Sequence, residues 1–154
     1  MRLGLSRIKQ RFGDRPNVAF FVDGPNIIRK EFNIDLRAMR KRVEKHGRMI
    51  IGKVFLNQFA SEKLIEAVAN EGLESVIALG DPEQKTDVDV AIAVHAMEAI
   101  YNPEIDVIAL ATRDADFLAL LQKAKERGKM TILVAVTPGL AVSLRHAADI
   151  VELL

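Results

Sequence analysis

Val18-Ala19-Phe20-Phe21-Val22-Asp23-Gly24-Pro25-Asn26 (VAFFVDGPN) runs five apolar residues straight into a carboxylate and then breaks the chain at Gly-Pro. The run does not alternate with polar residues, so it predicts a strand covered on both faces. Gly24-Pro25 turns the chain sharply, and a proline this early begins a helix. Asp23 is thereby expected at the carboxyl end of a buried strand, facing whatever collects at that edge of a sheet.

The same pattern repeats outward from this stretch. Met49–Leu56, Leu73–Leu79, Ile105–Ala111 and Lys129–Val136 are apolar or β-branched runs of strand length, and Asp149–Leu153 is a shorter last one. Between them lie stretches of helical period: Leu36–His46, Glu62–Glu71, Val88–Ile100, Asp116–Arg127 and Leu140–His146. Strand and helix in alternation predict a three-layer α/β/α sandwich on a mostly parallel, Rossmann-like sheet. Gly72 and Gly128 directly follow helical stretches, as C-terminal caps do, and Asn102-Pro103 closes the helix before the fourth strand. Gly80 to Lys85 (GDPEQK) is the most evident loop, and its acids make it a candidate site rim.

At 154 residues the chain suits one domain, read as 17–154, preceded by a basic arm over 1–16. No cysteine is present, which excludes disulfides, thiolate metal sites and cysteine nucleophiles and permits a reducing, cytoplasmic setting. No apolar run approaches the roughly 20 residues of a membrane span, and the arm lacks the apolar stretch of a secretory signal. The net charge of +1 conceals a split: residues 1–53 hold 14 Lys/Arg against 5 Asp/Glu, and residues 54–154 hold 8 against 16. Phosphates are drawn to the first kind of surface and metal cations to the second, although halves of a sequence need not be halves in space.

Acids recur at equivalent places in the pattern. Asp23 ends the first strand, Asp87 and Asp89 open the helix after the third, and Asp114 and Asp116 follow the fourth. In an open α/β sheet these positions share one edge, where ligands bind at the reversal of strand order. Carboxylates pressed together repel, and a divalent cation with oxygen ligands, magnesium or manganese, relieves this. Each acid alone is accounted for by helix capping: Asp114 would cap a helix near Ala115, and Thr86 with Asp89 has the form of a capping box. Capping does not account for the doubling at Asp87/Asp89 and Asp114/Asp116.

At these residues the sequence resembles the NYN domain family, a branch of the PIN-like metal-dependent nucleases that includes the LabA-like proteins. The matching pieces are VDGPN, KTDVDVAIAVHAM, ATRDADFLALLQKAKERGK and SLRHAADIVEL, which together run from Val18 to Leu154. The resemblance implies a PIN-like α/β/α sandwich and a ribonuclease activity supported by magnesium or manganese on strand-end acids. By position, Asp23 matches the first family acid and Asn26 its companion; Asp89 matches the acid of the middle piece, and Asp114 and Asp116 the last pair. Asp87 falls where relatives often carry a small residue and is expected to stand behind the ligands. His95 occupies a place that is acidic in some LabA-like proteins.

Around this set, Asn26 would offer its amide to a water or phosphate. The Thr112 hydroxyl would touch a phosphate or cap a helix, and Arg113 would grip a phosphate bidentately or form a surface ion pair. Lys85 would steady a phosphate or stand idle in its loop. The run from Arg37 to His46 carries Leu36, Met39 and Val43 inward, leaving Arg37, Arg40 and Lys41 on a face suited either to solvent or to an RNA backbone. With Arg2, Arg7, Lys9, Arg11 and Arg15 it would make one groove. Base stacking would have to use Phe or Arg, since the chain has one Tyr and no Trp. His46, His95 and His146 lack metal-ligand spacing and are expected to be structural or exposed, and Asp149 to make a structural hydrogen bond.

The expected function is a metal-dependent endoribonuclease; the alternative is a non-catalytic RNA-binding or regulatory module on the same fold, with a homodimer as a source of more basic surface. A haloacid-dehalogenase phosphatase would need D-x-D after the first strand, and Pro25 stands at the second acid's position. Neither dinucleotide-binding nor phosphate-loop glycine patterns occur.

Overall fold

The computed structural model describes residues 15–79 and 88–154. Six strands, β1 (Asn17–Asp23), β2 (Arg48–Asn57), β3 (Glu74–Ala78), β4 (Val107–Ala111), β5 (Met130–Ala135) and β6 (Ile150–Leu153), form one sheet in the order β3-β2-β1-β4-β5-β6. Every pairing is parallel. The helices are α1 (Gly24–Ile27), α2 (Leu36–Glu44), α3 (Glu62–Asn70), α4 (Asp89–Ile100), α5 (Leu118–Glu126) and α6 (Val142–Ala147). The expected strands and helices are present, with ends displaced by at most two residues.

Alternation along the strands divides the core into two layers. Val18, Phe20 and Val22 of β1 pack with Ile27, Met39, Val43 and Val68 of α1, α2 and α3. Ala19 and Phe21 point the other way, into a cluster with Ile92, Ala96 and Ile100 of α4, Leu121 of α5 and Leu144 of α6. All seven residues of β1 are buried, so the strand is apolar because both faces are covered.

Gly72 and Gly128 have positive φ (74° and 82°), the left-handed conformation expected of C-terminal caps. Two single turns of 3-10 helix escape a period-based reading. One, Lys30–Phe32, ends at Asn33 with φ 46°. The other, Ala115–Phe117, delays α5 to Leu118, because Asp114 caps that short turn instead of α5 itself.

The parallel order places the reversal between β1 and β4: from β1 the chain moves outward through β2 and β3, then α4 carries it back to β4 on the other side. A crevice therefore opens at the carboxyl ends of β1 and β4. Asp23 and Thr112 are the residues at those ends.

Candidate active site

Alternation decides where Asp23 points. It shares parity with Ala19 and Phe21, whose side chains lie on the α4 side of the sheet. On β4, Thr112 shares parity with Ile108 and Leu110, which lie on that same side. Because Val22 pairs with Ala111, Asp23 and Thr112 come next to each other in register. The Thr112 hydroxyl donates to Asp23 Oδ2 at 3.0 Å and accepts from the Asp114 backbone N–H at 3.2 Å, so it joins two acids. Thr112 is fully buried, which commits that hydroxyl to the acids.

Gly24 is required by space. A Cβ there would stand 2.3 Å from the Phe55 carbonyl oxygen, so only glycine lets the chain turn against β2 directly after Asp23. The turn brings Asn26 to face β4, where its Oδ1 accepts from the Arg113 backbone N–H at 2.9 Å. Arg113 returns the link: its guanidinium donates to the carbonyls of Asn26 (3.0 Å) and Pro138 (2.9 Å) and lies 4.6 Å over the Phe32 ring. Arg113 thus staples three loops together behind the acids.

Asp89, Asp114 and Asp116 converge, each offering a carboxylate oxygen within 4.8 Å of the others. Asp89 is the first residue of α4, and Asp114 caps the 3-10 turn by accepting from the Asp116 N–H at 2.9 Å. Capping and clustering therefore coexist, since a carboxylate has two oxygens and the cap uses one. Asp23 lies near Asp89 and Asp114 and is only 3% exposed. Its pKa is pushed up to about 7, mainly by burial and further by the charges of Asp89 and Asp114, against the lowering effect of the Thr112 hydroxyl and the Asn26 N–H.

This donor set fits a hard divalent cation: carboxylate oxygens only, gathered closely enough to share one ion, with mutual repulsion for the ion to relieve. Its place at the strand-order reversal is the ligand position of open α/β sheets.

The other expected contacts fall elsewhere. Lys85 and Asp87 lie outside the described residues, as do Thr86, Arg2, Arg7, Lys9 and Arg11. The basic face of α2 is largely paired: Arg37 Nε meets Glu71 at 3.1 Å, and Arg40 meets Glu44 at 2.6 Å. Arg42, Lys45 and His46 surround Glu152 on β6. Arg15 binds the carbonyls of Glu44 and Gly47 past the end of α2, where a cation is favoured. Lys41 is exposed.

His95 packs edge-on against Phe55 with its Nδ1 3.0 Å from Lys53 Nζ. His146 is exposed. Asp149 receives hydrogen bonds from the Thr131 N–H and hydroxyl at 2.8 and 3.1 Å, the structural role expected of it. The outward side of α4 was not singled out from the sequence: Val90 is 75% exposed and Val94 60%. The signal for it is in DVAIAVHAMEAI, which is apolar around most of the helix rather than along one stripe.

The structure defines a Rossmann-like α/β/α domain with a carboxylate cluster at its switch point. The NYN domain model matches residues 17–153, and the chain belongs to that family. It is 49% identical over 145 residues to an uncharacterized protein of Methanocaldococcus jannaschii, an alignment covering 94% of this chain and 58% of that protein. The chain thus spans somewhat over half the length of that relative. A crystal structure of a protein of unknown function from Vibrio parahaemolyticus superposes with a TM-score of 0.79 at 20% identity, covering 91% of this chain and 93% of that one. That likeness supports the fold. No helix among the described residues is long and apolar enough to cross a membrane.

Proposed function

We propose that this chain is a metal-dependent ribonuclease hydrolysing RNA phosphodiester bonds, with Asp23, Asp89, Asp114 and Asp116 holding magnesium or manganese. The observation that carries the reading is the convergence of Asp89, Asp114 and Asp116, with buried Asp23 near Asp89 and Asp114. When bound, the ion would supply Lewis acidity and an activated water, the chemistry that carboxylate-held ions bring to phosphodiesters.

The chain's own part is positional. Asp89 and Asp114 come from opposite sides of the switch point, so they fix the site across β1. Thr112 locks the Asp23 carboxylate toward Asp114. Arg113 fixes the Asn26 turn and the Pro138 loop on either side, which makes it a positioning residue in this reading. Arg37, Arg40 and Arg42 of α2 are ion-paired at the surface with Glu71, Glu44 and Glu152, which weighs equally on RNA contact in this reading and in the alternative of a non-catalytic RNA-binding module.

The deciding experiment is RNA cleavage by purified protein in manganese, magnesium or a chelator, beside Asp114→Asn and Asp89→Asn. Metal-dependent cleavage abolished in both folded variants is expected. Cleavage persisting in chelator, or surviving both substitutions, would remove the carboxylate centre from the mechanism.

A further inference from the structure

Beside the carboxylates, α4 and α5 diverge to leave a cleft of about 440 Å³. Asp89 and Asp116 stand on its wall, so it opens directly onto the candidate site. The rest of the wall is apolar: Val90, Ala93 and Met97 from α4, Ala119 and Leu120 from α5, and Phe117 before it. Among the described residues, the one cation on the wall is Lys123, about two helical turns along from Asp116, or on the order of 10 Å. Its ammonium is paired with Glu126 at 2.6 Å on the exposed surface.

We infer that this cleft receives the unpaired base of the nucleotide next to the scissile phosphate. The inference rests on the nuclease reading for the position of that phosphate. Three observations favour this occupant over another apolar group. The cleft is continuous with the carboxylates, so a ligand seated in it has its linked phosphate delivered to them. Its size lies within the roughly 300–1,000 Å³ of small-ligand sites, enough for one base. Lys123 lies at the far end, where the next phosphate along the chain would pass and would compete with Glu126 for its ammonium in an exposed, weakly held pair.

The wall also determines what kind of recognition occurs. Its side chains present methyl, methylene and thioether surface to the flat faces of a base, and its polar groups are the two carboxylates and the lysine. Among the described residues the wall offers no neutral donor–acceptor pair, so the base is held chiefly by contact and water exclusion and its identity matters little. A base already paired in a duplex cannot enter.

The test uses fluorescein-labelled RNA hexamers in calcium, with one abasic nucleotide moved through each position, and binding read by fluorescence anisotropy. At one position the abasic nucleotide should weaken binding by at least about 5-fold, as expected for loss of one base's apolar contact. Exchanging the base there should change binding by less than about 3-fold on the same scale. Ala119→Leu and Ala93→Leu fill the cleft from opposite helices, and Ala119 is exposed, so at least that variant keeps its fold. Both should weaken the intact hexamer and abolish the abasic penalty.

A flat abasic scan, or a penalty unchanged in both filled variants, would overturn the inference. So would a concentration-dependent dimer lost in the filled variants while RNA binding stays intact, which would assign the cleft to a second copy of the chain. Cleavage of the same hexamers in manganese separates the two readings. RNA cut with no cleft-dependent penalty sinks the cleft and leaves the nuclease; a penalty mapped to the cleft with no cutting does the reverse.

Discussion

Asp23→Asn should make the metal-free protein more stable at alkaline pH. The Asp23 carboxyl is 3% exposed, and its pKa is raised from 3.8 to about 7 by burial first and by Asp89 and Asp114 after it. In the unfolded chain the group ionises near its ordinary value, while the folded chain keeps the proton until pH approaches 7. Between those values the native state binds more protons, so stability falls as pH rises through that window and the loss is complete above it. At about 1.4 kcal/mol for each of roughly three pKa units, the full cost of ionising Asp23 in the folded protein is about 4 kcal/mol.

Asparagine has nearly the same shape, keeps an oxygen to accept from Thr112, and carries no charge. Urea unfolding followed by circular dichroism, with chelator present and pH stepped from 4 to 8.5, reads the difference directly. The other carboxylates titrate in both proteins and largely cancel. The variant should match wild type within about 1 kcal/mol near pH 4 and exceed it by about 2–4 kcal/mol at pH 8, the shortfall from the ceiling reflecting the buried amide's own desolvation. Manganese at a hundred times its dissociation constant should then stabilise wild type by about 2.7 kcal/mol and the variant far less. A stability difference that does not change with pH, or an asparagine variant weaker than wild type at pH 8, would refute the assignment of a destabilising buried charge to Asp23.

Other substitutions test the frame around that acid. Thr112→Val removes the hydroxyl that lowers the Asp23 pKa and leaves the Asp114 N–H without its 3.2 Å acceptor. It should cost about 1–3 kcal/mol in unfolding titrations and move the pH midpoint of manganese binding upward. Gly24→Ala sets a methyl 2.3 Å from the Phe55 carbonyl oxygen, and an overpacking loss of about 1–3 kcal/mol should appear in thermal melts. Arg113→Lys keeps the charge but not the planar fork that reaches Asn26 and Pro138 together. It should lower the melting temperature by a few degrees, corresponding to about 1 kcal/mol, and reduce turnover more than RNA affinity if Arg113 positions the acids.

The sequence already contained the sheet, because its strands are short apolar runs and the helices between them follow one period. It also contained the convergence of Asp89 with Asp114 and Asp116, since parallel crossovers return each strand end to one edge. Less legible were the partners of polar side chains. Thr112 and Asp23 are 89 residues apart, and their contact follows only once Val22 is paired with Ala111. Arg113 looks like a phosphate ligand from its place beside Asp114, yet the structure commits its guanidinium to the Asn26 and Pro138 carbonyls, 87 and 25 residues away. The basic run Arg37–His46 shows nothing of its partners in the sequence: β6 brings Glu152 against Lys45 and His46 from more than 100 residues away.

Periodicity reports which face of an element is buried, whereas polar pairing depends on the register of elements far apart in sequence. The acids escape this limit in part. Close carboxylates are costly in a folded chain unless something else fills the space between them, so their recurrence at one sheet edge is hard to assign to folding alone. The same reasoning separates Asp23 from Asp149. Both are strand-associated acids near the sheet, but Asp149 accepts two hydrogen bonds from Thr131 and faces Lys125 at 3.6 Å. Asp23 also accepts from the Thr112 hydroxyl and the Asn26 N–H, but its charged neighbours are the acids Asp89 and Asp114. An acid neutralised by its neighbours stabilises the fold; an acid surrounded by acids weakens it until a cation arrives. On that ground Asp23, Asp89, Asp114 and Asp116 are the residues we propose for the cation.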